Sequence, residues 1–251
     1  MNKNSQNSID LLGYNIYSNQ LEEINFLGRK KLIINTINPH SYCVAKKDMH
    51  FDAALKRSDI IIPDGVGIVL SAKVLVNKKL SKIAGADLHL YLLQRMNKIG
   101  GSVFYLGASE ETLELIKRRA SHEYPQVKVN AYSPPYKSHF TDDDNEKMRG
   151  EINRIKPDVL FVGMTAPKQE KWSDSNIEFL DVGIITSIGA VFDFYAGTVK
   201  RPGKFWIKIG LEWFPRFCRE PRRLWRRTLI STPLFVLDVI RDKIKAKRLV
   251  I

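Results

Sequence analysis

Asp64 stands between the apolar run Ile60-Ile61-Ile62-Pro63 and the turn Gly65-Val66-Gly67. A carboxylate there is placed for acid–base chemistry. The β-branched run reads as a buried strand, and Pro63 stops its pairing because it has no N–H to donate. The glycines let the backbone approach a ligand closely. The same pattern also describes a plain turn residue or a helix N-cap. Thr36 and Asn38 end an earlier apolar run, Leu32-Ile33-Ile34, and offer a hydroxyl and an amide. Further along, Pro167-Lys168-Gln169-Glu170 follows an apolar run and Gly163. Free N–H groups at a helix start there, with Lys168 beside them, would suit a diphosphate. Asp193 lies among Phe192, Phe194 and Tyr195. A buried Asp needs hydrogen-bond partners, and ribose hydroxyls would serve. Lys82 is either a surface lysine or a cation facing the same rim.

The run Asp142-Asp143-Asp144 looks like a metal cluster. The simpler reading is a helix start capped by Thr141, with the acids complementing the helix dipole. No metal is expected from it.

The elements that must hold these residues alternate between strand and helix. Strands are predicted near 32–38, 59–63, 102–106, 127–131, 158–162 and 182–187. Helices are predicted at 41–56, capped by Ser41, at 88–97, capped by Asp87, and from Ser109 to about residue 120. Pro167 is placed at the first position of another helix. Strands linked by helices predict a parallel sheet with right-handed crossovers. That topology brings Thr36, Asn38 and Asp64 to one rim, the carboxyl ends of the strands, where ligands bind in open α/β sheets.

A length of 251 residues and a hydrophobic content of 44% fit one large α/β unit with a real core. No apolar run reaches the roughly 18 residues of a spanning helix. The two cysteines, Cys43 and Cys218, have no metal-type spacing, which fits a reducing, cytoplasmic setting. The net charge of +13 is uneven. Residues 200–248 hold fifteen Lys and Arg against four Asp and Glu, a net +11, leaving +2 for the rest. Such a tail suits a polyanion: nucleic acid, a phosphorylated ligand or an anionic membrane surface. A solvated basic face would look the same.

The ordered set Thr36-x-Asn38, Pro63-Asp64-Gly65-x-Gly67, Gly85-x-Asp87, Pro167-Lys168-Gln169-Glu170, Phe192-Asp193-x-x-x-Gly197, Arg201-Pro202, Gly210-Leu211-Glu212-Trp213 and Glu220-Pro221-x-Arg223 resembles the WecG/TagA/CpsF glycosyltransferase family. The resemblance runs from about residue 10 to 230. It implies an inverting transfer of a sugar, often N-acetylmannosamine, from UDP to an undecaprenyl-diphosphate-linked saccharide in cell-surface polysaccharide assembly. It implies Asp64 as the catalytic base, with Thr36 and Asn38 beside it. It also implies that Gln169 and Asp193 bind the donor, and that Arg216, Arg223 and Arg226 belong to a basic appendage that closes over the site and meets the membrane. Lys82 stands where the family usually has Arg, so a forked diphosphate contact becomes a point charge. Thr165 stands where Gly is usual, and the loop around Pro135-Tyr136 departs from the family's Gly-rich version. Tyr136 joins Lys82, Gln169 and Asp193 as an expected donor or diphosphate contact.

The expectation is therefore a mostly parallel, Rossmann-like α/β core over residues 1–195 and a basic helical appendage over 196–251. The expected partners are a UDP-sugar, a polyprenyl-diphosphate acceptor and the inner face of the cell membrane. Neither a cofactor nor nucleic acid is expected, and homo-oligomerisation is left open. A nucleotide-dependent oxidoreductase is the alternative the sheet permits, but no Gly-x-Gly-x-x-Gly follows a strand. A nucleic-acid-binding protein is the alternative the tail permits, yet its cations are interleaved with Trp and Leu.

Overall fold

The computed structural model describes residues 7–24, 26, 31–208 and 210–248. A short hairpin, β1 (Ser8–Leu11) and β2 (Tyr14–Tyr17), precedes β3 (Leu32–Ile37), α1 (Pro39–Ala45), α2 (Met49–Lys56) and β4 (Ile60–Pro63). Next come α3 (Val66–Val76), α4 (Gly85–Ile99), β5 (Ser102–Gly107), α5 (Glu110–Glu123), β6 (Lys128–Tyr132) and α6 (Asp142–Ile155). The sheet is completed by β7 (Val159–Gly163), α7 (Lys168–Asn176), β8 (Ile184–Ser187) and α8 (Gly189–Ala196). Short helices α9 (Lys204–Lys208), α10 (Trp213–Arg219) and α11 (Pro221–Trp225) lead through a π-helical turn (Arg226–Ser231) into α12 (Thr232–Arg248).

The eight strands lie in the order β1-β2-β4-β3-β8-β7-β5-β6. Among the described residues, only β1 and β2 pair antiparallel; the other pairings are parallel. Buried on both faces, the central strands are near-continuous apolar runs, as parallel sheets require. One face packs Leu88, Leu92, Leu113, Ile116 and Phe192. The other carries two clusters, one around Phe51, Leu55, Ile68, Phe235 and Val239, the second around Met148, Ile152 and Trp172. After β3 the chain moves outward to β4, while β8 arrives beside β3 from the opposite side. The carboxyl ends of β3 and β8 therefore flank a topological switch point, the place where ligands bind in open α/β sheets.

Two local expectations change. The helix expected at 41–56 is two helices. Asn38 starts the first, with Pro39 at N1, and Ser41 is the third residue of its capping box rather than the cap. Asp48 starts the second by accepting the Phe51 N–H at 3.0 Å. Likewise α4 begins at Gly85, and Asp87 is not its cap. It sits in the first turn and reaches back to the Ala84 N–H at 3.1 Å. Thr141 does cap α6, and Asp144 completes that box and takes Lys137 at 2.8 Å. Pro167 occupies the cap position just ahead of α7.

Candidate active site

Asp64 extends the end of β4 by one rung, its N–H donating to the Ile37 carbonyl at 2.8 Å. The next residue, Gly65, has φ +96°, a conformation that L side chains rarely adopt. This turn places Asp64 at the rim while α3 leads away. Asn38 lies against the turn, its Cβ 3.9 Å from where a Gly65 side chain would start. Its Oδ1 accepts the N–H groups of His40 and Ser41, both at 3.0 Å. Thr36 is half-buried on β3 opposite Ile62, one step inside the rim. The strand ends thus gather the expected trio, with Asn38 fixed by its capping role.

Asp64 keeps part of its surface open to solvent. Burial pushes its carboxyl above the ordinary range; Arg227, Lys82 and Arg216 pull it down, while Glu212 adds to the rise. Lys82 is brought to the rim by Ile83, whose N–H donates to the Pro63 carbonyl at 3.0 Å. Its ammonium meets Glu212 at 2.5 Å. Glu212 also receives Arg201 at 3.4 Å, and Arg201 reaches Asp87 at 3.0 Å. Burial works against ionisation of Glu212, but the hydrogen bond and charge of Lys82, then those of Arg201, hold its pKa below the usual value. Two core residues and two residues of the basic tail are thereby knitted beside Asp64.

The β7 and β8 ends are joined differently. Gln169 Oε1 accepts the Gly189 N–H at 3.1 Å, and its amide donates to Glu170 at 2.8 Å. Glycine is needed at 189, since a Cβ would meet the Met164 carbonyl and lie 2.7 Å from Gln169 Oε1. Glu170 is 4% exposed, and its second oxygen has no partner among the described residues. Burial pushes it up to about 7, against the Gln169 hydrogen bond. Asp193 is half-buried on α8, next to Phe194, over whose ring Arg216 sits at 5.0 Å.

Other expected residues lie elsewhere. The Tyr136 ring is fully exposed. Lys168 does not face a free helix start. It donates to the Lys137 carbonyl and lies 3.5 Å from the Phe140 ring centre, pinning the loop that bears Tyr136. Arg226 is exposed over the Trp225 ring at 5.4 Å. The side chain of Arg223 lies outside the described residues.

Sequence reasoning assigned no role to Arg201, Glu212, Arg227 or His40. Arg201 and Glu212 stood inside quoted motifs, but a pairing across 114 or 130 residues has no local signature. His40 meets Ser231 with Nδ1···Oγ at 2.8 Å, another contact that only the fold creates.

The arrangement offers a partly open carboxylate and several cations at the strand ends, which suits proton removal from a hydroxyl beside an anionic leaving group. The chain matches the Glycosyl transferase WecG/TagA/CpsF family over residues 7–249. It is similar to the N-acetylglucosaminyldiphosphoundecaprenol N-acetyl-beta-D-mannosaminyltransferase of Bacillus subtilis (strain 168), at 32% identity over 84% of this chain and 80% of that one. The protein of the same name from Bacillus spizizenii is 30% identical over 88% and 84%. That of Staphylococcus aureus (strain MW2) is 27% identical over 86% and 83%. A match spanning nearly the whole described chain identifies this protein as a member of the WecG/TagA/CpsF glycosyltransferase family.

Proposed function

We propose that this glycosyltransferase moves an N-acetylmannosamine-like sugar from a UDP-sugar to an undecaprenyl-diphosphate-linked saccharide, with inversion. The observation that carries this reading is Asp64, partly open at the switch-point rim and faced by cations. Asp64 takes the proton of the acceptor hydroxyl. The hydroxyl oxygen forms a bond to the anomeric carbon as the bond from that carbon to the diphosphate oxygen breaks. UDP departs with the bonding pair, and Lys82 and the tail arginines offset its charge. Gln169 and Asp193, at the neighbouring strand ends, are proposed to hold the donor. The names of the relatives support the sugar and the acceptor.

The division into a core, 1–195, and an appendage, 196–251, belongs to the same proposal, as does docking at the inner membrane face. No helix among the described residues is long and apolar enough to cross a membrane. Instead α12 exposes Leu234, Val236, Leu237, Ile240 and Ile244 beside its basic residues, and α3, packed against it, exposes Leu70 and Val74. An apolar face with a cationic fringe favours the surface of an anionic bilayer.

A panel of UDP-sugars offered with a synthetic polyprenyl-diphosphate saccharide, products read by mass spectrometry, tests the reaction. Loss of UDP without glycosylation of the lipid would refute the acceptor. Flotation with anionic vesicles at low and high salt tests the docking, and a protein that never floats refutes it.

A further inference from the structure

We infer that Arg227, and not its neighbour Arg226, is the arginine that the C-terminal helices deliver to the rim, as a positioning residue for the Asp64 carboxylate. The inference rests on Asp64 being the base.

The helices are seated on α1 by specific contacts. Ser231 Oγ meets His40 Nδ1 at 2.8 Å, and the Ser231 carbonyl accepts the Cys43 thiol at 3.3 Å. One step further, the Phe235 ring packs edge-on against Tyr42, centroids 5.4 Å apart, and Asp238 takes Lys46 at 2.6 Å. Arg227 lies four residues before Ser231. It is half-buried, whereas Arg226 is exposed and rests on Trp225. The start of α1 is the Asn38 turn that abuts Gly65, so the seating carries Arg227 toward Asp64.

The charge relations agree with that placement. Of the charges acting on Asp64, Arg227 acts most strongly, ahead of Lys82, Glu212 and Arg216. Arg227 is also the charge that, after burial, lowers the His40 pKa. The other charged groups of the elements around His40, Lys46 and Lys47 on the α1 side and Asp238 and Asp242 on α12, gather around Tyr42 and Cys43 further along α1. A guanidinium does not lose its proton at any working pH. It therefore favours the charged, proton-accepting form of this carboxylate, against the burial that raises its pKa. The same cation disfavours protonation of His40, which makes that imidazole a reporter of where Arg227 sits.

The test uses the full chain and the variants Arg227→Met, Arg227→Lys and Arg226→Ala. Met keeps the aliphatic bulk, and thermal unfolding checks that each variant folds. His40, one of five histidines, is assigned by His40→Gln and titrated by NMR without substrate. Its midpoint should rise in Arg227→Met and stay near wild type in Arg227→Lys and Arg226→Ala. In parallel, the acidic limb of kcat/KM should move to higher pH in Arg227→Met and return in Arg227→Lys. A His40 midpoint that ignores Arg227→Met, or that moves as far in Arg226→Ala, overturns the placement. A moved midpoint with an unmoved acidic limb overturns the action on Asp64. If wild type transfers no sugar, the proposed function fails by itself, and the NMR titration still decides the placement.

Discussion

Two carboxyl groups stand at the carboxyl ends of parallel strands, Asp64 after β4 and Glu170 at the start of α7 after β7. Burial raises both pKa values. Their surroundings then diverge. Asp64 faces Arg227, Lys82 and Arg216, and keeps open surface. Glu170 is sealed, bonded to a neutral amide, and has one oxygen unmatched among the described residues. Desolvation alone produces a carboxyl that keeps its proton. Desolvation opposed by cations still raises the pKa, but the cations favour the charged form that burial disfavours. The difference separates the proposed base, Asp64, from Glu170, which is bonded to Gln169 in the interior, although both follow strands of one sheet.

The contrast breaks most directly at Asp64. Asp64→Asn keeps the shape and cannot take the proton, so turnover should fall by about 10²–10⁴. UDP affinity by calorimetry should barely change. Turnover near wild type in this variant, with a collapse in Glu170→Gln instead, would exchange the two roles. The next effect concerns what brings the cations. Phe235 is 2% exposed in the same cluster as Phe51 and Leu55, so Phe235→Ala should cost about 3–5 kcal/mol in chemical denaturation. A cost near zero would mean that α12 is not fixed to the core and that Asp64 has no dependable set of charges.

Glu170 should show itself in the pH dependence of stability. Burial pushes its folded pKa up to about 7, above the ordinary 4.5 of a glutamate. Both states hold the proton below pH 4.5, and stability is lost as pH rises toward 7 and the unfolded chain alone ionises. The loss amounts to roughly 3 kcal/mol in total. Glu170→Gln removes this loss, so its stability relative to wild type should improve between pH 5 and pH 8. A constant difference across that range would show that Glu170 is not held protonated.

The smallest effect tests Glu212, the carboxylate that adds to the rise at Asp64. Glu212→Gln frees Lys82 from its carboxylate, and UDP should bind about fivefold more tightly, the size of a roughly 1 kcal/mol partly screened pair. Weaker binding would instead make Glu212 the residue that holds Lys82 in place for the diphosphate.

The rim itself was legible because its cues are local. The apolar run ending in Pro63, and the Asn38-Pro39 step after β3, mark strand ends within a residue or so of their places. Thr141 was legible as a cap for the same reason. The missing break at Asp48 was local too, but Asp48 both caps α2 and pairs with Lys171 at 2.8 Å, and periodicity alone runs through it. The Lys82–Glu212–Arg201–Asp87 network was not legible, since its Lys82–Glu212 and Arg201–Asp87 links join segments 130 and 114 residues apart. On α12 the visible stripe of Val236, Leu237, Ile240 and Ile244 is the exposed one. Phe235 and Val239, which fasten the helix, form a second and narrower stripe that only the packing distinguishes.

The wide turn at Arg226–Ser231 has a consequence for winding. A regular α-helix advances 100° per residue, so eight residues before Phe235 would leave Arg227 about 80° away from the anchored face. Seven residues before it, Thr228 would come within about 20° of that face instead. A π-helical turn takes more residues per revolution and absorbs the surplus. Arg227, Ser231, Phe235 and Val239, each four apart, can then fall in one row. The phase of this single turn selects which side chain the helix presents to the rim, an arginine where even winding would offer a threonine.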